Sequence, residues 1–273
     1  MIASALEELG LFLGADLEEN HESMFFLRLN DWALRQAGGA WDNPKAFTHV
    51  LHSPEHAKLF KDYMEMRFSS IASRSFWGWS RFLRNQVVRN DVKQLWGWKD
   101  PRTVFTIPLW GKIFPHAKII NIQRNGVAVA ASLRARERKM LAQAKELHRR
   151  RMRWRIYALR EKQGGFGWSS RCWQLSEGFL LWEEYVLQSQ QTLEAIGLQQ
   201  HQVRFEDFLK EPKERLAEMA EFCGLSFSLE ALSRAVSSFR IDRAGAFEQD
   251  PELAEFYDTV KNRHSMRMLG YDR

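Results

Sequence analysis

A chain of 273 residues with 45% hydrophobic side chains can bury a core sufficient for one large domain, or one domain with an insertion, which argues against disorder for most of its length. The 40 Lys and Arg against 34 Asp and Glu leave +6, an excess that suits an anionic ligand and falls well short of a dedicated nucleic-acid binder. Cys172 and Cys223 lie far apart among apolar neighbours, which speaks against a disulfide framework or a cysteine metal site, and no apolar run reaches the roughly 18 residues of a membrane span. With no signal-peptide pattern at the start, the expectation is a soluble, cytoplasmic protein.

Ile2, Leu6 and Leu9 recur at helical spacing, and Gly10 is placed to cap that helix. A second helix is predicted over 23–36, ended by Gly38-Gly39 and the Trp41-Asp42-Asn43-Pro44 turn. Pro54 opens another helix towards Arg67, and 76–91 alternates apolar and Arg positions as an amphipathic helix does. Leu95-Trp96-Gly97-Trp98-Lys99 reads as a short strand stopped by Asp100-Pro101. The tryptophans at 41, 77, 79, 96, 98 and 110 read as core packing in preference to substrate stacking.

Thr103 to Lys112 is predicted as a helix, and Lys118-Ile-Ile-Asn-Ile-Gln123 as a buried parallel strand, because it is apolar and rich in β-branched residues. Arg124-Asn125-Gly126 turns out of it into a helix from Val127. Residues 134–171 are an Arg-rich outlier, read as an inserted basic cap within a single domain. Further helices are predicted over 173–196 and 212–222, with a second buried strand at 202–205 between them. Strands alternating with helices imply an α/β fold: a parallel sheet flanked by helices, with ligands at the carboxyl ends of its strands.

The chemistry concentrates in Lys118 to Ser132. Arg124 leaves the strand end and Ser132 follows eight residues later, about two turns into the helix. A guanidinium gives paired, charge-assisted hydrogen bonds to phosphate oxygens, a hydroxyl adds a donor, and Gly126 lets backbone pass close by. The alternative is an Arg in a loop ion pair and a Ser that fills space.

This segment resembles the 3′-phosphate-binding element of sulfotransferases that use 3′-phosphoadenosine 5′-phosphosulfate (PAPS). Lys99-Asp100-Pro101-Arg102 before the strand, Phe114-Pro115-His116, Val203-Arg204-Phe205-Glu206-Asp207-Phe208 and the terminal Met268-Leu269-Gly270-Tyr271 are similar to bacterial members. The resemblance implies a P-loop NTPase-like, helix-rich fold and PAPS as sulfuryl donor, with no metal. It also implies roles for individual residues: Arg124 and Ser132 on the 3′-phosphate, and Phe205 stacked on adenine where the family has Tyr. Arg243, with Arg240 as alternative, would add a late basic contact. Family members open with a strand and a Ser-Gly-Thr loop gripping the 5′-phosphosulfate. Met1 to Leu6 looks like the helix that follows such a loop, so the expectation is either a piece of a longer protein or a loss of half the cofactor grip.

For the general base that sulfuryl transfer needs, relatives use a His or a carboxylate, and His21 and Glu22 are the candidates here. Pro101 stands where eukaryotic cytosolic members place a His. Lys99 is able to reach the leaving oxygen, or else pairs with a carboxylate. The expected partner is a small-molecule or saccharide acceptor. A non-catalytic nucleotide-binding protein and a nucleic-acid binder acting through 149–155 are the competing readings.

Overall fold

The computed structural model describes every residue except 88–93, 163–164, 238, 240–248 and 273. Helix α1 (Ile2–Glu8) closes in a Schellman turn: the Leu11 N–H reaches the Leu6 carbonyl, the Gly10 N–H reaches Glu7, and Gly10 takes φ +103°, a value strained for any residue with a Cβ. Helix α2 (Met24–Gln36) is followed by α3 (Phe47–His52) and α4 (Pro54–Ser69), the last with Ser53 as N-cap and proline at its first position. Helix α5 (Arg74–Val87) begins two residues before the predicted amphipathic segment and breaks at Gly78, whose φ of 71° lies outside helical geometry. Helix α6 (Thr103–Ile113), strand β1 (Lys118–Gln123) and α7 (Gly126–Arg153) follow. Beyond α8 (Ile156–Leu159) come α9 (Leu175–Ile196), β2 (Gln199–Arg204), α10 (Phe205–Lys210), α11 (Pro212–Cys223) and α12 (Leu229–Ser237). Helices α13 (Pro251–Val260) and α14 (His264–Met268) end the chain.

The architecture is helix-rich with a small parallel sheet. Among the described residues β1 and β2 are the strands of that sheet, in register from Lys118 against Gln199 to Gln123 against Arg204. The strand predicted at 95–99 reduces to one parallel bridge, Phe12 with Trp96, because Trp96 and Trp98 turn their rings into an aromatic cluster. Strand β2 starts three residues earlier than expected and is mostly polar: only Val203 of its six residues is buried.

The chain divides into two compact units. The first joins Met1–Gln123 to Leu187–Ala244, the second Arg124–Val186 to Gly245–Arg273. One core of the first unit packs α1, α11 and α12 against the sheet, through Leu6, Val203, Phe208, Leu216, Met219 and Leu232. A second body of packing in that unit is aromatic. Phe26 stacks on Trp98 at 4.1 Å, Trp96 on Phe68 at 5.4 Å, and Trp110 on Phe114 at 5.8 Å. Each such pair contributes about 0.5–1.5 kcal/mol beyond its buried area. Trp77 joins this cluster, whereas Trp79 stays on the surface beneath the Arg74 guanidinium. In the second unit Val127, Ala130, Phe179, Trp182, Leu253 and Met266 form the core.

Candidate functional site

In the first unit the turn between α1 and α2 carries two of the candidate residues. The Glu18 N–H bonds the Glu22 carbonyl and the His21 N–H bonds the Glu18 carbonyl, a tight loop that forces His21 to φ 57°. The Glu22 side chain, 13% exposed, lies between two cations: Lys99 Nζ at 2.7 Å and the Arg102 guanidinium at 3.4 Å. Lys99 also donates to the Asn20 carbonyl at 3.2 Å, yet keeps 41% of its side chain exposed. Burial pushes the Glu22 carboxyl above its usual range, against the lowering by the Lys99 hydrogen bond and charge. His21 turns the other way, with Nδ1 3.2 Å from a Glu7 carboxylate oxygen in α1. Glu22 and Lys99 therefore come together from 77 positions apart, and His21 pairs elsewhere.

A buried polar network fixes the segment that carries Lys99. Asp100 accepts from the Arg102 backbone N–H at 3.0 Å and its Nε at 2.8 Å, and from Asn30 Nδ2 at 2.9 Å. Asn30, fully buried in α2, also gives to Thr103 Oγ1, and its Oδ1 accepts from Thr106 Oγ1 and Trp110 Nε1, both at 2.8 Å. A satisfied network of this kind holds one geometry, because any displaced member leaves a polar atom stranded away from water. Asn30 was not among the residues singled out from the sequence. Its signal was a polar side chain on the apolar stripe of Phe26, Ala33 and Leu34.

The second unit holds Arg124 and Ser132. Asn125 is the N-cap of α7, its Oδ1 accepting from the Val127 and Ala128 N–H groups at 2.9 and 3.4 Å. Trp182 Nε1 donates to the Arg124 carbonyl at 3.1 Å and so pins the backbone of the turn. Gly126 is required by that same ring: a Cβ there would stand 2.5 Å from Trp182 Cε3 and 2.8 Å from Phe179 Cε2. The glycine expected to admit a ligand thus admits an indole. Arg124 is half-buried and Ser132 exposed, and Asn125, Ala128 and Ser132 share one face of α7 by helical spacing. Phe205 opens α10 directly after the end of β2 and packs partly against the core of the first unit. Arg243 and Arg240 lie outside the described residues.

Residues 15–228 match the model of the family described as Sulfotransferase family, well over half of the chain. The chain belongs to the sulfotransferase family. No curated protein and no solved structure matches it. Family membership makes it a transferase of the sulfuryl-transfer class. No helix among the described residues is long and apolar enough to cross a membrane.

Proposed function

We propose that this sulfotransferase takes its sulfuryl group from PAPS and delivers it to a hydroxyl or amine of a small-molecule, saccharide or lipid acceptor. The observation that carries the reading is the Glu22 carboxyl, raised in proton affinity by burial and 2.7 Å from the part-exposed ammonium of Lys99. A general base works best with a pKa brought towards the working pH, and a neighbouring cation offsets charge that develops during transfer. PAPS supplies an activated sulfuryl group whose leaving group is adenosine 3′,5′-bisphosphate. A new bond forms between acceptor and sulfur as the bridging S–O bond breaks, and Glu22 takes the acceptor proton while Lys99 offsets charge on the departing oxygen.

The donor set of the turn after β1 suits a phosphate. Asn125 already occupies the first amides of α7, so the Arg124 guanidinium and Ser132 hydroxyl are the groups that would hold the 3′-phosphate. Phe205 offers a ring for adenine, and Arg243 a further cation. His21, bound to Glu7, is the weaker candidate for the base.

Titration calorimetry with adenosine 3′,5′-bisphosphate, paired with a sulfuryl-transfer assay from PAPS, tests this. Arg124→Ala is expected to weaken nucleotide binding at least about tenfold, about 1.4 kcal/mol. Glu22→Gln should keep nucleotide affinity and lower turnover by about 10²–10⁴. Absence of saturable binding, or affinity unchanged in Arg124→Ala, overturns the cofactor assignment. Saturable binding without transfer to any acceptor leaves a nucleotide-binding protein instead.

A further inference from the structure

Every buried residue of α7 lies in its first half, the last being Glu137. From Arg138 onward the helix runs for about 24 Å, at 1.5 Å per residue, with no buried side chain. At its end Arg155 adopts φ 51°, reversing the chain so that α8 folds back. His148 on α7 stacks against Tyr157 at 5.7 Å and meets Phe166 edge-on at 5.1 Å, which fastens the returning segment to the helix. The tip is therefore a folded feature of the second unit.

Its composition is unlike the rest of the chain. Residues 147–160 hold six arginines and no acidic residue. Without those six, 34 basic residues remain against 34 acidic ones, so the whole net charge of +6 resides on this segment. Between the arginines stand large apolar side chains turned to solvent: Leu159 is 86% exposed, Trp154 73% and Met152 55%, with Ile156 exposed beside them. Leu159, Met152 and Ile156 gain nothing in water and offer a nucleic acid neither a hydrogen bond nor a stacking face; of the four, Trp154 has a ring on which a base stacks. Aliphatic and indole groups ringed by arginines match one environment well, the boundary between anionic headgroups and acyl chains.

We infer that the tip formed by residues 147–160 docks the protein on the anionic face of a lipid bilayer. Trp154 and Leu159 enter the headgroup–acyl boundary while the arginines pair with lipid phosphates and carboxylates. Since no helix among the described residues spans a membrane, the attachment is peripheral and reversible. The inference does not depend on how the nucleotide is held, and nucleotide binding is expected to be unchanged by substitutions at the tip.

Co-sedimentation of the full chain with unilamellar vesicles tests it, using phosphatidylcholine with about a quarter phosphatidylserine against phosphatidylcholine alone. Retention on the anionic vesicles should exceed that on neutral ones by about tenfold or more and fall as salt rises. Trp154→Ser with Leu159→Ser should lose about tenfold in partitioning even at low salt, and Arg150→Gln with Arg153→Gln a similar amount with a flatter salt dependence. All four positions are exposed, so both variants should melt with the wild type. Should the apolar pair nonetheless unfold, the arginine pair and the salt series still decide the matter. Equal retention on neutral vesicles, or wild-type partitioning in either variant, overturns the inference. So does binding of a single-stranded polynucleotide by wild type and apolar variant alike with no retention on vesicles, which would make the tip a nucleic-acid surface.

Discussion

Substituting Gly126→Ala tests whether the turn after β1 is built around Trp182. Elsewhere at the start of a helix this change gains up to about 1 kcal/mol, since alanine restricts the unfolded chain and favours helix. Here the added Cβ would lie 2.5 and 2.7 Å from two atoms of the Trp182 ring and 2.8 Å from Phe179, all closer than a methyl group tolerates. Both rings are buried, Phe179 at 1% and Trp182 at 6% exposure, and have little room to retreat. Overpacking of this kind costs about 1–3 kcal/mol, so against a gain of at most about 1 kcal/mol the contact outweighs it by up to about 2 kcal/mol. For a chain of this size, at roughly 2 °C per kcal/mol, that lowers the melting temperature by up to roughly 4 °C. Because Trp182 Nε1 holds the Arg124 carbonyl, a displaced ring also shifts Arg124, and affinity for adenosine 3′,5′-bisphosphate should fall in parallel. Calorimetric melting and nucleotide titration read the two effects. In a Trp182→Phe background the same substitution should cost less, a coupling of roughly 0.5 kcal/mol or more. A Gly126→Ala protein that melts at or above the wild type would refute the reasoning.

Two further perturbations probe the buried charges. Because burial raises the folded-state pKa of Glu22 above its unfolded value, its contribution to stability is complete below the unfolded pKa and is lost as pH rises through the folded one. Urea midpoints across that window should therefore show a downward component for the wild type that Glu22→Gln removes, and an unaltered slope in the variant would count against the assignment. Glu137, 4% exposed, accepts the backbone N–H groups of Trp168 and Ser169 at 2.7 and 2.8 Å through one oxygen. Glu137→Ala strands both donors at a cost of about 2–4 kcal/mol and should expose the 160–170 segment to limited proteolysis, with cleavage rates indistinguishable from wild type as the contrary outcome.

What the sequence conveyed follows the range of the interactions involved. Helices α2, α4, α6 and α11 were legible because their caps, prolines and apolar periods are local, and β1 because its apolar, β-branched run is local, although none of its six residues is buried and Ile122 is 42% exposed. Phe12, whose backbone N–H donates to the Leu95 carbonyl and whose carbonyl accepts from the Gly97 N–H, makes a pairing with no local trace. The ion pair of Glu22 and Lys99 is of the same kind: both residues were identifiable as candidates for chemistry, but their meeting depends on the Asn30 network that places Asp100.

Gly126 shows the converse, a residue whose type was informative while its reason was not. A glycine beside an arginine at a strand end suggests room for a phosphate close to the backbone. The indole of Trp182, 56 positions later, takes that room, and Asn125 takes the amides that a phosphate would otherwise approach. On the proposed function, a phosphate at this turn would be held by side chains, the Arg124 guanidinium first and the Ser132 hydroxyl second. It follows that Arg124→Lys, which keeps the charge and loses the paired donors, should recover only part of the affinity lost in Arg124→Ala. Full recovery by lysine would mean that charge alone is read and that the geometry of the turn is incidental to binding.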